Sequence, residues 1–306
     1  MDIRRTYMAI VLFSALVVAV ESVGVEAALN TFHISSYVVA VVPSIVGGLI
    51  LITSMPSATR TVVIGLGRRG WVFMLATCTF MGLGVFMWFD AVGRIGASKE
   101  AILGGGSSEV LFIVLLSALF LSERLTRVEA AGSAFVLLGV FLVLANADTL
   151  SLSIGPGEIE AIASSFLLAV SVVMTAMLLK SHKLTPVSGL ELLVSGALLL
   201  AIGIPFGFVS WPGAGEFLVL VGLGCFPALG MLAYYAGIPK IGASLTSVLF
   251  ALNGIMTVGI QLLVVNIVPD AEMILPRSLP LTLLGGLVAF AGIYLLNIGQ
   301  RTPRPE

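Results

Sequence analysis

The 306-residue chain is 58% hydrophobic and only 10% charged, with 15 Lys and Arg against 16 Asp and Glu. Soluble domains average about 45–50% apolar and about 25% charged residues, because a compact fold must cover itself with polar groups. The composition excludes a soluble enzyme, a disordered chain and a disulfide scaffold, and its near-neutral balance argues against a nucleic-acid partner. A polytopic membrane protein remains.

A helix crosses the hydrocarbon core with about 20 mainly apolar residues. Ten such runs follow one another, at 7–26, 35–54, 71–89, 98–121, 128–147, 158–180, 187–209, 215–236, 243–267 and 279–299. The connections are short and leave no room for a soluble domain. A β-barrel would alternate apolar and polar residues over about ten positions, and these runs are continuous. Arg4 and Arg5 before the first run resemble a signal peptide, but the run stays apolar for a full span, whereas a signal core covers about 7–15 residues. Cys78 and Cys225 are two thiols in apolar runs, too few and too dispersed for a disulfide framework or a zinc site. They read as small buried hydrophobes. No metal or cofactor is expected.

With ten spans, both termini and the even-numbered loops share one side. That side carries 12 of the 15 Lys and Arg, among them Arg4, Arg5, Arg60, Arg68, Arg69, Lys180, Lys183 and Lys240. Cytoplasmic loops hold such an excess. The expectation is a multi-pass protein of the cell inner (plasma) membrane with both termini cytoplasmic. Tyr7 and Trp71 at inner helix ends and Trp211 at an outer end fit interfacial belts.

The chain also repeats itself. Arg94-Ile95-Gly96-Ala97-Ser98 recurs as Lys240-Ile241-Gly242-Ala243-Ser244, 146 residues later, after Trp88-Phe89 in one case and Tyr234-Tyr235 in the other. The step Gly132 to Gly139 recurs as Gly285 to Gly292 at an offset of 153. Residues 1–150 and 151–306 are therefore read as two five-helix repeats. An odd number of helices forces the copies to insert in opposite directions, the usual build of secondary transporters.

Ten helices, two five-helix halves, and Phe120-Leu121-Ser122-Glu123-Arg124-Leu125 followed by Gly132 and Gly139-Val140 resemble the EamA-type family of the drug/metabolite transporter superfamily. The chain departs from the family pattern in having Glu109-Val110 where a proline is usual. It also has Ser122-Glu123 in place of Gly-Glu, and no such signature in its second half. The resemblance implies a helical bundle with a central cavity, alternating access and small metabolites as cargo. It implies no nucleotide-hydrolysing part, and the sequence contains no P-loop pattern.

A charge at the bilayer centre costs about 2.5–3.5 kcal/mol on insertion scales, so such residues are functional candidates. Glu109 lies near the middle of the fourth run, directly after Gly104-Gly105-Gly106-Ser107-Ser108, where the helix is expected to bend or unwind. It is read as binding a proton or a cationic cargo group. Glu21 in the outer part of the first run assists it. Trp88, Tyr234 and Tyr235 offer ring faces to a cation, and Asn253 an uncharged hydrogen bond. Gln261 is a second such group. Lys99 and Glu100 are expected near the outer interface as a paired gate contact, with Glu100 half a turn out of phase with Glu109. Glu26 and His33 are read as surface groups. Glu191 is read as an acidic start to the seventh span, at the positive end of its dipole. Asp90 and Arg94 are expected to pair.

These residues favour a secondary transporter of a small zwitterionic or cationic metabolite, an amino acid or amphipathic amine, working by proton-coupled export. The partners are that cargo, a proton and the lipid bilayer. Facilitated uptake of a quaternary amine is the alternative, and a non-transporting scaffold a weaker one. A membrane enzyme lacks support, because His33 and His182 fall at opposite faces and no midplane Asp exists.

Overall fold

The computed structural model describes residues 3–120, 127–145, 154–241, 246 and 249–301. Among these residues there is no strand, and the chain forms a helical bundle. Helix α1 (Ile3–Glu26) runs into a π-helical turn, Ala27–Thr31, and α2 (Ser36–Ser54) returns beside it. A short α3 (Pro56–Gly65) leads into the long α4 (Gly67–Ile95). The fourth apolar run is broken into α5 (Ala97–Leu103), a π-helical turn Gly104–Ser108, and α6 (Glu109–Phe120). After α7 (Arg127–Leu144) come α8 (Pro156–Leu178) and α9 (Leu184–Gly203). The eighth run divides into α10 (Ala214–Leu223) and α11 (Cys225–Ile241), and α12 (Asn253–Ile267) and α13 (Leu279–Arg301) complete the bundle.

Six stretches are long and apolar enough to cross a bilayer: Arg4–Thr31, Ser36–Ser54, Gly67–Ile95, Pro156–Leu178, Leu184–Gly203 and Ala214–Ile241. Shorter apolar helices lie at Ala131–Leu144, Asn253–Ile267 and Leu279–Leu295. The sequence motif 121–125 and the second Gly-Ala-Ser copy at 242–244 lie outside the described residues. Between the second and third runs the sequence suggested only a loop, whereas α3 fills it. Pro56 opens this helix, where its missing N–H costs nothing. Cys78 is buried as expected, but Cys225, the first residue of α11, is exposed.

The helices pack in pairs across the two halves of the chain. The most extensive pairings are α7 with α13, α4 with α8, α2 with α9, and α1 with α11. Burial in lipid gives helices little hydrophobic reason to associate, so close backbone approach through small residues has to supply the contact. The repeated glycine step does this between α7 and α13. A Cβ at Gly139 would stand 2.6 Å from Gly285 O and from Ala289, and one at Gly292 2.6 Å from Gly132 O. The two copies of the motif thus face one another in antiparallel order. Gly139→Val should place two extra methyls and a Cβ into backbone. We expect a loss of about 3 kcal/mol, at the upper end for overpacked cores, seen as a lower unfolding temperature in detergent; unchanged stability would contradict this packing.

Gly96 is fixed by conformation as well as by close approach. It ends α4 with φ 83°, and a Cβ there would collide with the backbone of Ile274. Only glycine meets both conditions without strain.

Candidate functional site

A cavity lies between α1, α2, α4, α8, α11 and the broken helix α5–α6, with about 940 Å³ of space outside atoms, its open mouth included. The broken helix explains why so many chemical groups reach it. An α-helix turns about 100° per residue, which would put Glu100 and Glu109 on opposite faces. The wider turn at Gly104–Ser108 takes more residues per revolution and re-phases α6, so both carboxyls line the cavity. The expectation that they face apart is therefore corrected.

Glu21 is 3% exposed in α1 and faces the same space. Trp88, Tyr234, Tyr235 and Asn253 also line it. Seven of the eight residues singled out in the sequence meet here, from helices far apart in the chain. The eighth, Lys99, does not. It pairs with Glu158 at the start of α8, Nζ to Oε1 2.5 Å, while Glu158 Oε2 accepts the Gly155 N–H. The expected Lys99–Glu100 pair does not form. They are successive residues of a helix and diverge by about 100°, so Glu100 turns inward and accepts a hydrogen bond from Trp88 Nε1 at 2.6 Å.

The electrostatics of the cavity are one-sided. Among the described residues, its lining holds Glu21, Glu100 and Glu109 and no Lys, Arg or His. Among the described residues, neither Glu21 nor Glu109 has a hydrogen-bond or ion-pair partner. Asn253 is 3% exposed and its Oδ1 is also unpartnered. The rest of the wall is apolar or aromatic, with Val18, Met81, Val85, Leu168, Met231 and Phe250, and Ser44, Ser164 and Ser165 as small hydroxyls. Tyr234 meets Tyr235 and Phe250 edge-on at 5.5 and 4.8 Å. Gly105 keeps the floor open between Asn253 and Glu109. A Cβ there would lie 3.4 Å from Asn253 Nδ2 and 3.9 Å from Glu109 Oε2. Burying carboxylates without partners is costly, and either a proton or a positive group seated among them would offset that cost. Among the described residues, no three His, Cys, Asp or Glu converge as metal ligands.

Two further carboxyls were misjudged from sequence. Glu26 is fully buried, not a surface group. Its Oε2 accepts from the Ala97 N–H at 3.0 Å and from Gln261 Nε2 at 2.6 Å, and its Oε1 from the Ile274 N–H at 2.5 Å. Gln261 Oε1 in turn accepts from the Ser98 hydroxyl and the Ser98 N–H. This clasp ties the ends of α1 and α5 to α12 and the segment after it. It also accounts for Gly96-Ala97-Ser98, since each residue of the motif has a contact in it. Glu191 is the eighth residue of α9, fully buried between helices, and not at a helix start. Asp90 and Arg94 pair as expected at 2.7 Å, joined by Glu160 at 3.0 Å.

Comparison with known proteins finds a family similarity in the first half of the chain. Residues 5–145 match the EamA-like transporter family. No curated protein matches the chain. A crystal structure at 21% identity covers 97% of this chain and 96% of its own, with a TM-score of 0.63, a likeness of fold alone. The first half of the chain is thus similar to the EamA-like transporter family, and its several long apolar helices indicate a multi-pass membrane protein.

Proposed function

We propose that this protein carries a small cationic or zwitterionic metabolite across the cell inner membrane by alternating access, in exchange for protons and in the outward direction. The observation that carries this reading is the cavity itself. Among the described residues it has three carboxyls, two of them unpartnered, five aromatic residues and no basic side chain. An ammonium or quaternary amine would take Glu109 and Glu21 as counter-charges and Trp88, Tyr234 and Tyr235 as ring faces. Asn253 Oδ1 would accept from an N–H of the cargo. Anionic cargo would meet uncompensated carboxylates.

Two inverted five-helix repeats, 1–150 and 151–306, account for the helix pairing. If the ten apolar runs are numbered in order, exchanging the halves turns the first–eighth pair, α1 with α11, into the sixth–third pair, α8 with α4. The second–seventh and fifth–tenth pairs map onto themselves. All four are the pairings with the most extensive contact. The Lys and Arg bias places both termini in the cytoplasm. The Glu26 clasp then closes the outer end of the bundle, and opening to that side requires it to part. Uptake of a quaternary amine uses the same groups and differs only in the direction of the gradient.

The test is a thermal-shift screen of the purified protein against tetramethylammonium, primary amines, amino acids and organic anions. Binding to the folded state alone raises stability by RT ln(1 + [L]/Kd). We expect cationic or zwitterionic hits. Stabilisation by anions and not by cations would contradict the reading.

A further inference from the structure

Outside the cavity, two clusters of buried polar groups are built around a carboxyl, the Glu26 clasp and a second one at Glu191. Glu191, Ser188, Ser171 and Thr175 are each fully buried. Glu191 Oε1 accepts from the Ser171 hydroxyl at 2.7 Å and the Thr175 hydroxyl at 2.9 Å. Its other oxygen, Oε2, has no partner among the described residues, and neither does Ser188 Oγ, three residues earlier on the same helix face. The titratable side chains facing the cluster are Cys78 of α4 and Tyr235 of α11, while Tyr37 of α2 donates to Leu199 O, two turns further along α9. The charged residues of the packed helices lie elsewhere. Arg60, Arg68, Arg69 and Lys240 are exposed, and Asp90, Arg94, Lys99, Glu158 and Glu160 pair among themselves. A fully buried carboxylate with no counter-ion is strongly disfavoured.

We propose that Glu191 is a proton-binding site distinct from the cargo cavity and linked to the cavity through Thr175 and Tyr235. A proton would remove the buried charge, and Oε1 would keep its bonds from the Ser171 and Thr175 hydroxyls. A metal cation would need several oxygens around an open centre, whereas Thr77, Ser171, Thr175 and Ser195 close in with almost no exposure. Thr175 touches both sides, donating to Glu191 and lying beside the Tyr235 hydroxyl, and Tyr235 forms part of the cavity wall. Cargo seated against Tyr235 therefore bears on the proton's nearest neighbours. As the coupling site, Glu191 rests on the transport reading; as a proton site, it does not.

Infrared spectroscopy of the purified, cargo-free protein separates the two. The C=O stretch of a protonated carboxyl lies apart from the carboxylate bands. At neutral pH, Glu191→Gln should remove one such band, and the milder Ser171→Ala, which takes away one donor to Oε1, should shift that band without removing it. A protonated-carboxyl region unchanged in Glu191→Gln, from mildly acidic to neutral pH, would overturn the proposal. Stabilisation of the wild type, but not of Glu191→Gln, by sodium chloride over isosmotic sucrose would overturn it too, in favour of a metal cation. In proteoliposomes, Glu191→Gln should still bind tetramethylammonium and lose acceleration by a pH gradient. Acceleration equal to wild type would refute the coupling role. A missing band together with no tetramethylammonium movement by the wild type would count against the transport reading and leave the proton site standing.

Discussion

Glu109→Gln should leave the protein folded and weaken binding of tetramethylammonium or a primary amine by about 10- to 100-fold. The side chain keeps its size and loses its charge. Interactions of charged groups are worth about 1.5–3 kcal/mol, and no partner among the described residues depends on this carboxyl for its own satisfaction. Folding should hold for the same reason. Glu21→Gln should act in the same direction, since Glu21 borders the same space and is likewise unpartnered. Thermal-shift titration of each variant gives the affinity change directly. An affinity equal to wild type in Glu109→Gln would remove this residue from the site.

The second large effect concerns the clasp. Glu26→Ala strands the Ala97 and Ile274 N–H groups and the Gln261 amide, all satisfied by this one carboxylate. A buried donor left without a partner costs about 1–3 kcal/mol. Three together should destabilise the closed outer end by several kcal/mol, about a hundredfold or more in its population. Labelling of an introduced cysteine at Ser98 by a membrane-impermeant thiol reagent from outside should rise accordingly. Glu26→Gln keeps one acceptor and should fall between. Labelling equal in Glu26→Ala and the parent would show that the clasp does not hold this end shut.

The difference between what was visible in the sequence and what was not follows from locality. Glu109 and Glu21 stand out because a charge inside an apolar run is expensive wherever the helix packs. The Gly104–Ser108 run announced a disturbed helix, but not that a π-helical turn would bring Glu100 round to Glu109. A fixed 100° per residue misses that. Glu26 and Glu191 sit near the ends of apolar runs and so resembled interfacial groups. Their burial depends on α5, α12 and α8, which no local pattern reveals. Lys99 found its partner 59 residues away, beyond any argument from neighbouring residues. The glycine repeat was legible as a pattern. That its two copies pack against each other needed the α7–α13 contact.

The central claim is that one cavity opens to each side of the membrane in turn. Ser165 lines it and is 1% exposed, so a cysteine there reports on its access. With Cys78 and Cys225 replaced, Ser165→Cys should react with a membrane-impermeant thiol reagent added to either face of oriented vesicles, and cargo should change the balance between the two rates. Reaction from one face only, or from neither, under every condition would contradict alternating access and leave a static pocket.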